Sequence, residues 1–249
     1  PRSHLLARAE LKKLNKIICT TDRMAAFYQE SGRVEKARIM TLYGGVSYDI
    51  HDARKVLPEV QRSDADLVIG MLGRASAVKG QTILIQALAK VLAETDQKVI
   101  LRLAGGGDPT RRGSWQALAN ELAIPKHSLE ILGTIDNVPA FMRSLDVGII
   151  PSLRSEMICR VLMEFTAFGK PILGSQVNAV GEVIGKYELG LTSPPGDAGA
   201  LAANILQVLA EPALLEVWSA NSRKAYEEYF NPGSFAQATE AFYQKKVDS

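Results

Sequence analysis

Asp146-Val147-Gly148-Ile149-Ile150-Pro151-Ser152-Leu153-Arg154-Ser155-Glu156-Met157-Ile158-Cys159-Arg160-Val161-Leu162-Met163-Glu164 is the stretch that decides the fold. Its apolar run Val147–Ile150 has the length and composition of a strand and is closed by Pro151. After a polar loop, Val161, Leu162, Phe165 and Phe168 form one apolar helix face. The unit is therefore strand, loop, helix.

The same unit recurs on both sides. Lys16–Thr20, Arg38–Leu42, Leu67–Leu72, Lys98–Ala104, Leu129–Leu132 and Pro171–Gly174 are short, rich in Ile, Val and Leu, and bounded by Gly, Pro or Asp, as strands are. Between them Leu84, Ala87, Leu88, Val91 and Leu92 repeat at helical spacing, as do Leu118, Leu122 and Ala123 after Pro109. Alternation of this kind predicts an α/β fold, a Rossmann-like parallel sheet flanked by helices. Such sheets bind ligands beyond the carboxyl ends of their strands, so the residues after each strand carry the functional reading.

The rhythm breaks over residues 47–64, a polar stretch with no strand pattern that reads as an interdomain linker. Residues 1–46 hold one β-α-β piece, and residues 65–230 are long enough for a complete domain. Past Pro212 the strands stop, and two closing helices are expected on either side of Asn231-Pro232-Gly233, the second within residues 231–249. No internal repeat or low-complexity segment is present.

Composition removes several classes of function. The 249 residues carry a net charge of +2, with 47% hydrophobic and 22% charged side chains, the balance of a soluble globular chain. Without a clustered basic stripe, nucleic acid is not an expected partner. Cys19 and Cys159 are the only cysteines, so neither a disulfide framework nor a Cys-x-x-Cys zinc site can be built. No apolar run reaches the roughly 20 residues that span a bilayer, and no signal peptide opens the chain. The expected location is the cytoplasm, with the inner face of a membrane as a second place of action. Pro1 in place of an initiator Met suggests a processed or truncated start.

Three post-strand loops have chemistry of their own. Gly73 and Arg74, then Lys79 and Gly80, place a guanidinium and an ammonium on a loop at a helix start, which suits a diphosphate; a merely solvated basic loop is the competing reading. Gly105-Gly106-Gly107-Asp108-Pro109 permits close backbone approach. It is not a Gly-x-Gly-x-x-Gly fingerprint, because Thr110 occupies the last position. In the third loop Glu156 stands beyond a strand and Glu164 lies about two turns further along the helix. Two carboxylates so placed can accept from two sets of hydroxyls on one elongated ligand. On an apolar helix face, Glu164 would be costly without partners. Asp64-Ala65-Asp66 precedes its strand and reads as a solvated linker end, and His4, His51 and His127 are too scattered for a metal set or triad.

These motifs resemble the retaining glycosyltransferases of GT-B fold that carry a Glu-x7-Glu motif. Gly73-Arg74 with Lys79-Gly80 is similar to that group's Gly-Arg-x4-Lys-Gly stretch, and Asp146–Ser152 to its Ala-Asp-Val-x3-Pro-Ser stretch. Glu156 and Glu164 match the two glutamates, with Gly169-Lys170-Pro171, Gly181-Glu182-Val183 and Pro194-Pro195-Gly196-Asp197 in register. The likeness extends over about Ile17 to Leu209. It implies that the chain is the carboxyl-terminal, donor-binding domain, preceded by a remnant of the amino-terminal domain, and that the last helix crosses back towards that domain.

By this resemblance Arg74 and Lys79 bind the donor diphosphate and stabilise its departing charge, Glu156 faces the donor sugar, and Glu164 accepts from the ribose. Met157, Ile158, Cys159, Arg160 and Val161 offer backbone N–H groups to sugar and phosphates. Gly133, Thr134 and Ile135 hold the base. A nucleoside diphosphate sugar is the expected ligand, with no metal and no other cofactor. The acceptor, a glycan or a lipid-linked species, belongs to the missing half, so the chain alone is expected to be inactive. Met157, Ile158 and Cys159 stand where the group has small and aromatic residues, and Gly44-Gly45-Val46 where it has Asn-Gly-Val; larger side chains would crowd the sugar. A nucleotide-sugar 2-epimerase and a noncatalytic nucleotide-sugar-binding module are the alternatives. Self-association or mobility is expected at the two ends, which would have lost packing partners.

Overall fold

The computed structural model describes residues 14–31, 34–47, 64–154, 156 and 158–245. Most of the expected linker, together with His4, His51, Ser155 and Met157, lies outside the described residues.

A first, small layer holds β1 (Ile17–Cys19), α1 (Asp22–Glu30) and β2 (Ile39–Thr41), with β1 and β2 paired in parallel. Thr21 begins α1 by accepting from the Met24 amide through its side chain.

The main layer alternates strand and helix: β3 (Leu67–Leu72), α2 (Gln81–Glu94), β4 (Val99–Ala104), α3 (Pro109–Glu121), β5 (Leu129–Gly133), α4 (Val138–Arg143) and β6 (Val147–Ile150). It continues with α5 (Arg160–Ala167), β7 (Ile172–Ser175), α6 (Asn178–Lys186), the two-residue strand β8 (Thr192–Ser193) and α7 (Ala198–Ala210). Then α8 (Ala213–Ala225) runs through a π-turn at Tyr226–Phe230, and α9 (Pro232–Gln244) closes the chain.

The six strands pair in parallel in the order β5-β4-β3-β6-β7-β8. Each apolar strand buries both faces. In β3, Leu67, Ile69 and Met71 pack among residues of α2, α3 and α7, while Val68 packs on the opposite side with Phe141, Leu162 and Phe165. Gly148 in β6 leaves room for Phe165, since a Cβ there would stand 2.6 Å from its ring. The order reverses between β3 and β6, and there the loops after those two strands meet.

The sequence placed the strands of this sheet to within a residue or so and missed only β8, which is too short to leave a periodic signal. Pro109 is the first residue of α3, with Asp108 capping it, so the helix starts at the proline itself. Ala123 lies past the helix end, in a left-handed conformation.

The two ends of the described chain meet. Lys16 Nζ donates to the carbonyls of Phe242, Tyr243 (3.0 Å) and Lys245 at the carboxyl end of α9, where a cation suits the helix dipole. Val46 and Phe230 share a backbone hydrogen bond of 2.9 Å, and Tyr43 is buried in the core beneath α5 and α6. The described ends therefore dock on the sheet domain and on each other. Phe27, Tyr229 and Tyr243 remain exposed on this side.

Among the described residues no single helix is long and apolar enough to cross a membrane. The pair α7–α8 passes such a test only jointly, bent by 104°, with Leu201, Ile205, Val208 and Trp218 buried in the core.

Candidate active site

The loop after β3 leads through a short turn, Ala77–Lys79, into α2 by way of Gly80 at φ +81°. A Cβ at Gly80 would stand 1.9 Å from the Pro151 carbonyl oxygen, so only glycine lets this loop meet the one after β6. Leu153 N donates to Val78 O at 2.8 Å and stitches the two loops together.

That contact brings together residues far apart in sequence. Lys79 Nζ lies 2.5 Å from Glu156 Oε1, and Ser152 Oγ donates to the same oxygen at 2.7 Å. Glu156 is buried, and its backbone carbonyl accepts from Ala179 N at the start of α6. Arg74 is exposed, with no side-chain partner among the described residues, while its carbonyl accepts from Gln81 Nε2 at 2.9 Å. One cation is thus already matched to a carboxylate, and a second stands open to solvent next to it.

Glu164 is buried on α5 and is met by Arg160 Nε at 2.9 Å. This ion pair answers the cost expected of a carboxylate on an apolar face. Arg160 itself is 75% exposed, so it can leave without being buried elsewhere.

The loops after β3, β4 and β5 are joined side by side. Gly73 N donates to Ala104 O, Ala75 N to Gly106 O, and Gly105 N to Gly133 O at 2.6 Å. A Cβ at Gly105 would stand 2.1 Å from Gly73 O, so this glycine serves close packing of the loops. Gly133 is buried, Ile135 half-buried and Thr134 exposed at the far end of this row.

The altered segment divides. Ile158 is 60% exposed, whereas Cys159 is buried beside Tyr43, Leu162 and Met163. Burial pushes the Cys159 thiol up to about 12, with the Glu156 charge adding to the effect. Cys159 thus faces the core. Val161 is half-buried and Arg160 exposed at the start of α5, and Met157 is not described.

Sequence reasoning missed three supports of this site. Ser152 was quoted only as part of the Asp146–Ser152 stretch, without the bond to Glu156, and Gln81, which donates to the Arg74 carbonyl, was not singled out. The third is a network: Glu182 accepts from Asp22 N (2.5 Å), Arg23 N (3.1 Å) and Tyr43 Oη (2.6 Å), capping α1 from another layer. Burial, then hydrogen bonding to Glu182 and Asp22, pushes the Tyr43 hydroxyl upward. Burial alone would raise Asp22, but hydrogen bonds from Lys186, Thr41 and Tyr43 hold it below the usual range. No group of three His, Cys, Asp or Glu side chains converges among the described residues.

The parallel sheet with this strand order, bearing a cationic loop and a carboxylate loop at its reversal point, has the architecture of a GT-B donor-side domain. By its sequence the chain belongs to the family Glycosyl transferases group 1, whose pattern matches residues 53–225. It is 31% identical over 153 residues to the phosphatidyl-myo-inositol mannosyltransferase of Mycobacterium leprae, covering 61% of this chain and 39% of that protein. Among solved structures, the glycosyltransferase from Rickettsia africae superposes with a TM-score of 0.79 at 19% identity, over 98% of this chain and 67% of that one. HepE of Anabaena in complex with UDP gives 0.73 at 19% identity, over 93% and 64%. The chain spans about half or less of the length of the curated relatives it matches first.

Proposed function

We propose that this chain is the donor-binding part of a retaining glycosyltransferase and that the carboxyl edge of the sheet, at the loops after β3 and β6, takes a nucleoside diphosphate sugar. The observation that carries the reading is the meeting of Lys79 with Glu156 beside the unpaired Arg74. A diphosphate offers Arg74 and Lys79 an anion on the amino-terminal side of α2. As the glycosidic bond to phosphate breaks, negative charge grows on the leaving diphosphate. Two cations held in place by hydrogen-bonded loops stabilise it without reorganising.

In this reading Glu156, released from Lys79, accepts from hydroxyls of the donor sugar. Glu164 exchanges Arg160 for the ribose hydroxyls, and the amides at the start of α5 face sugar and phosphate. The base lies along Gly133–Ile135. The reading assigns no metal to this domain. The acceptor, a glycan or lipid-linked species, would be held by an amino-terminal domain of which residues 1–46 are the remnant, and the enzyme would act in the cytoplasm or at the inner face of a membrane. HepE carrying UDP on the same fold supports a nucleotide at this edge of the sheet.

Titration calorimetry with UDP, GDP and ADP tests the reading. Binding of at least one at micromolar to submillimolar concentration is expected. No heat from any of them at millimolar concentration would overturn it. Transfer from a donor panel by the full-length protein then separates a transferase from a noncatalytic binding module.

A further inference from the structure

Gly181-Glu182-Val183 stands in register with the family pattern, yet the donor reading gives it no part. Glu182 lies on α6 and acts on another layer. Its carboxylate accepts from Asp22 N and Arg23 N, the first two amides of α1, while the Thr21 side chain takes the third, Met24 N. Beside it the Tyr43 hydroxyl stands 2.6 Å from Glu182 Oε1 and 2.8 Å from Asp22 Oδ2. One hydroxyl proton cannot fully serve two carboxylates, and Lys186 Nζ, 2.7 Å from Asp22 Oδ2, supplies the cation that lets them sit together.

The same helix holds the site. Ala179, Glu182 and Lys186 follow at i, i+3 and i+7 and share one face of α6. No side chain caps the start of this helix; the Ala179 amide donates instead to the backbone carbonyl of Glu156 at 3.1 Å. One face of one short helix therefore carries both ties, to the first layer and to the main chain of Glu156. Tyr43, just past β2, adds a second route. Its buried ring borders a small void whose other walls are Cys159, Leu162 and Met163 at the start of α5, Ala179 and Val183 of α6, and Phe230. A Cβ on the neighbouring Gly44 would stand 3.1 Å from the Met163 methyl, so the segment after β2 lies directly against the helix that carries Glu164.

We propose that Tyr43 and Glu182 are positioning residues for the donor sugar: they fix α6 and the start of α5 against the first layer, and α6 in turn fixes the main chain of Glu156 beneath its carboxylate. The inference rests on the donor reading above, in which Glu156 meets the sugar while Arg74 and Lys79 meet the diphosphate from the loop after β3. Neither Tyr43 nor Glu182 touches the ligand in that reading. The Glu156 side chain is held by Lys79 and Ser152, from the loops after β3 and β6, so the tie through α6 is the one that the first layer can set. Loosening it should change the sugar's share of the affinity and leave that of the diphosphate.

The test uses the whole chain as wild type, Tyr43→Phe, Glu182→Gln and, for control, Thr21→Ala, which removes the side-chain cap of α1 and leaves Tyr43 and Glu182 in place. Amide exchange at Ala179, followed by NMR, reports the tie to Glu156 without any ligand. Calorimetry with UDP, UDP-glucose, GDP and GDP-mannose gives the factor by which each sugar changes the affinity of its nucleotide. Tyr43→Phe and Glu182→Gln should each quicken Ala179 exchange at least about tenfold. Both should weaken the better-bound nucleotide sugar at least about threefold while its nucleotide changes less than about twofold. Thr21→Ala should quicken exchange in α1 and leave both readings within about twofold. Unchanged Ala179 exchange in both variants overturns the proposal whether or not a ligand binds. Equal losses for nucleotide and nucleotide sugar, or the same shifts in Thr21→Ala, make the two side chains general supports of the fold and overturn it too. If Tyr43→Phe does not fold, Glu182→Gln alone decides. Should the wild type bind no nucleoside diphosphate, the donor reading falls and this inference with it; nucleotide binding with an unshifted sugar factor in the variants sinks the inference alone.

Discussion

Lys79 and Glu156 come from loops after different strands, yet their Nζ and Oε1 atoms stand 2.5 Å apart at the reversal point of the sheet. The pair sets a cation against the buried Glu156 carboxylate, and in the donor reading proposed above a diphosphate sugar would give each member a new partner.

Lys79→Ala should therefore lower both stability and ligand binding, because it leaves the buried Glu156 with the Ser152 hydroxyl as its remaining side-chain partner. We expect a loss of about 1–3 kcal/mol in urea unfolding. Arg74→Ala, at an exposed and unpaired side chain, should stay within about 0.5 kcal/mol. Both should weaken diphosphate binding by about tenfold or more and leave nucleoside binding nearly unchanged. Matching stability losses for the two variants would contradict the geometry.

Glycine-to-alanine substitutions should change sign with position. Gly80→Ala places a methyl 1.9 Å from the Pro151 carbonyl at a left-handed φ, and should cost about 1–3 kcal/mol and loosen the two site loops. Gly113→Ala, in α3 with nothing within 4 Å of its Cβ position, should gain roughly 0.5–1 kcal/mol. Thermal melts of the pair measure both.

Glu182→Ala removes the acceptor of two amides at the start of α1 and of the Tyr43 hydroxyl. A local cost of about 1–3 kcal/mol follows from the stranded donors. Amide exchange should quicken across Ile17–Thr41 and stay slow in β3, β4 and β6. Uniform quickening through the central sheet would show that the first layer is not held through Glu182.

Cys159 should be inert and should tilt stability at high pH. Burial raises its thiol from the usual 9.0 to about 12, so the folded chain keeps a proton that the unfolded chain loses in that window. Its contribution is complete below about pH 9 and is lost as pH rises towards 12, with a slope of up to about 1.4 kcal/mol per pH unit. Cys159→Ala should flatten that part of the profile. Peptide mapping after iodoacetamide at pH 8 should find Cys159 unmodified in the native chain; rapid labelling would place the thiol in solvent.

Much of the fold could be read from local pattern, since Leu67–Leu72 and Val147–Ile150 are apolar on both faces as only buried parallel strands are. Glu164 stood out because a carboxylate on an apolar helix face is costly without a partner, which Arg160 supplies, whereas Arg74, Lys79 and Glu156 stood out only as charged residues just beyond strands, where the structure joins Lys79 to Glu156. The bond of Ser152 to Glu156 and that of Gln81 to the Arg74 carbonyl were not legible, because a serine after a strand and a glutamine opening a helix are ordinary in sequence. Only their neighbours make them unusual.

The sequence by itself determined the strand-helix alternation, the parallel sheet and the residue types on its carboxyl edge, because periodicity and turn chemistry act over a few neighbouring positions. Tertiary structure alone decided that Lys79 would meet Glu156 across 77 positions, that Glu182 would cap a helix 160 positions away, and that Gly80 would press against the Pro151 carbonyl. These contacts depend on strand order and on how closely glycine lets two loops approach. Both arise from packing of the whole chain, on which the local pattern is silent.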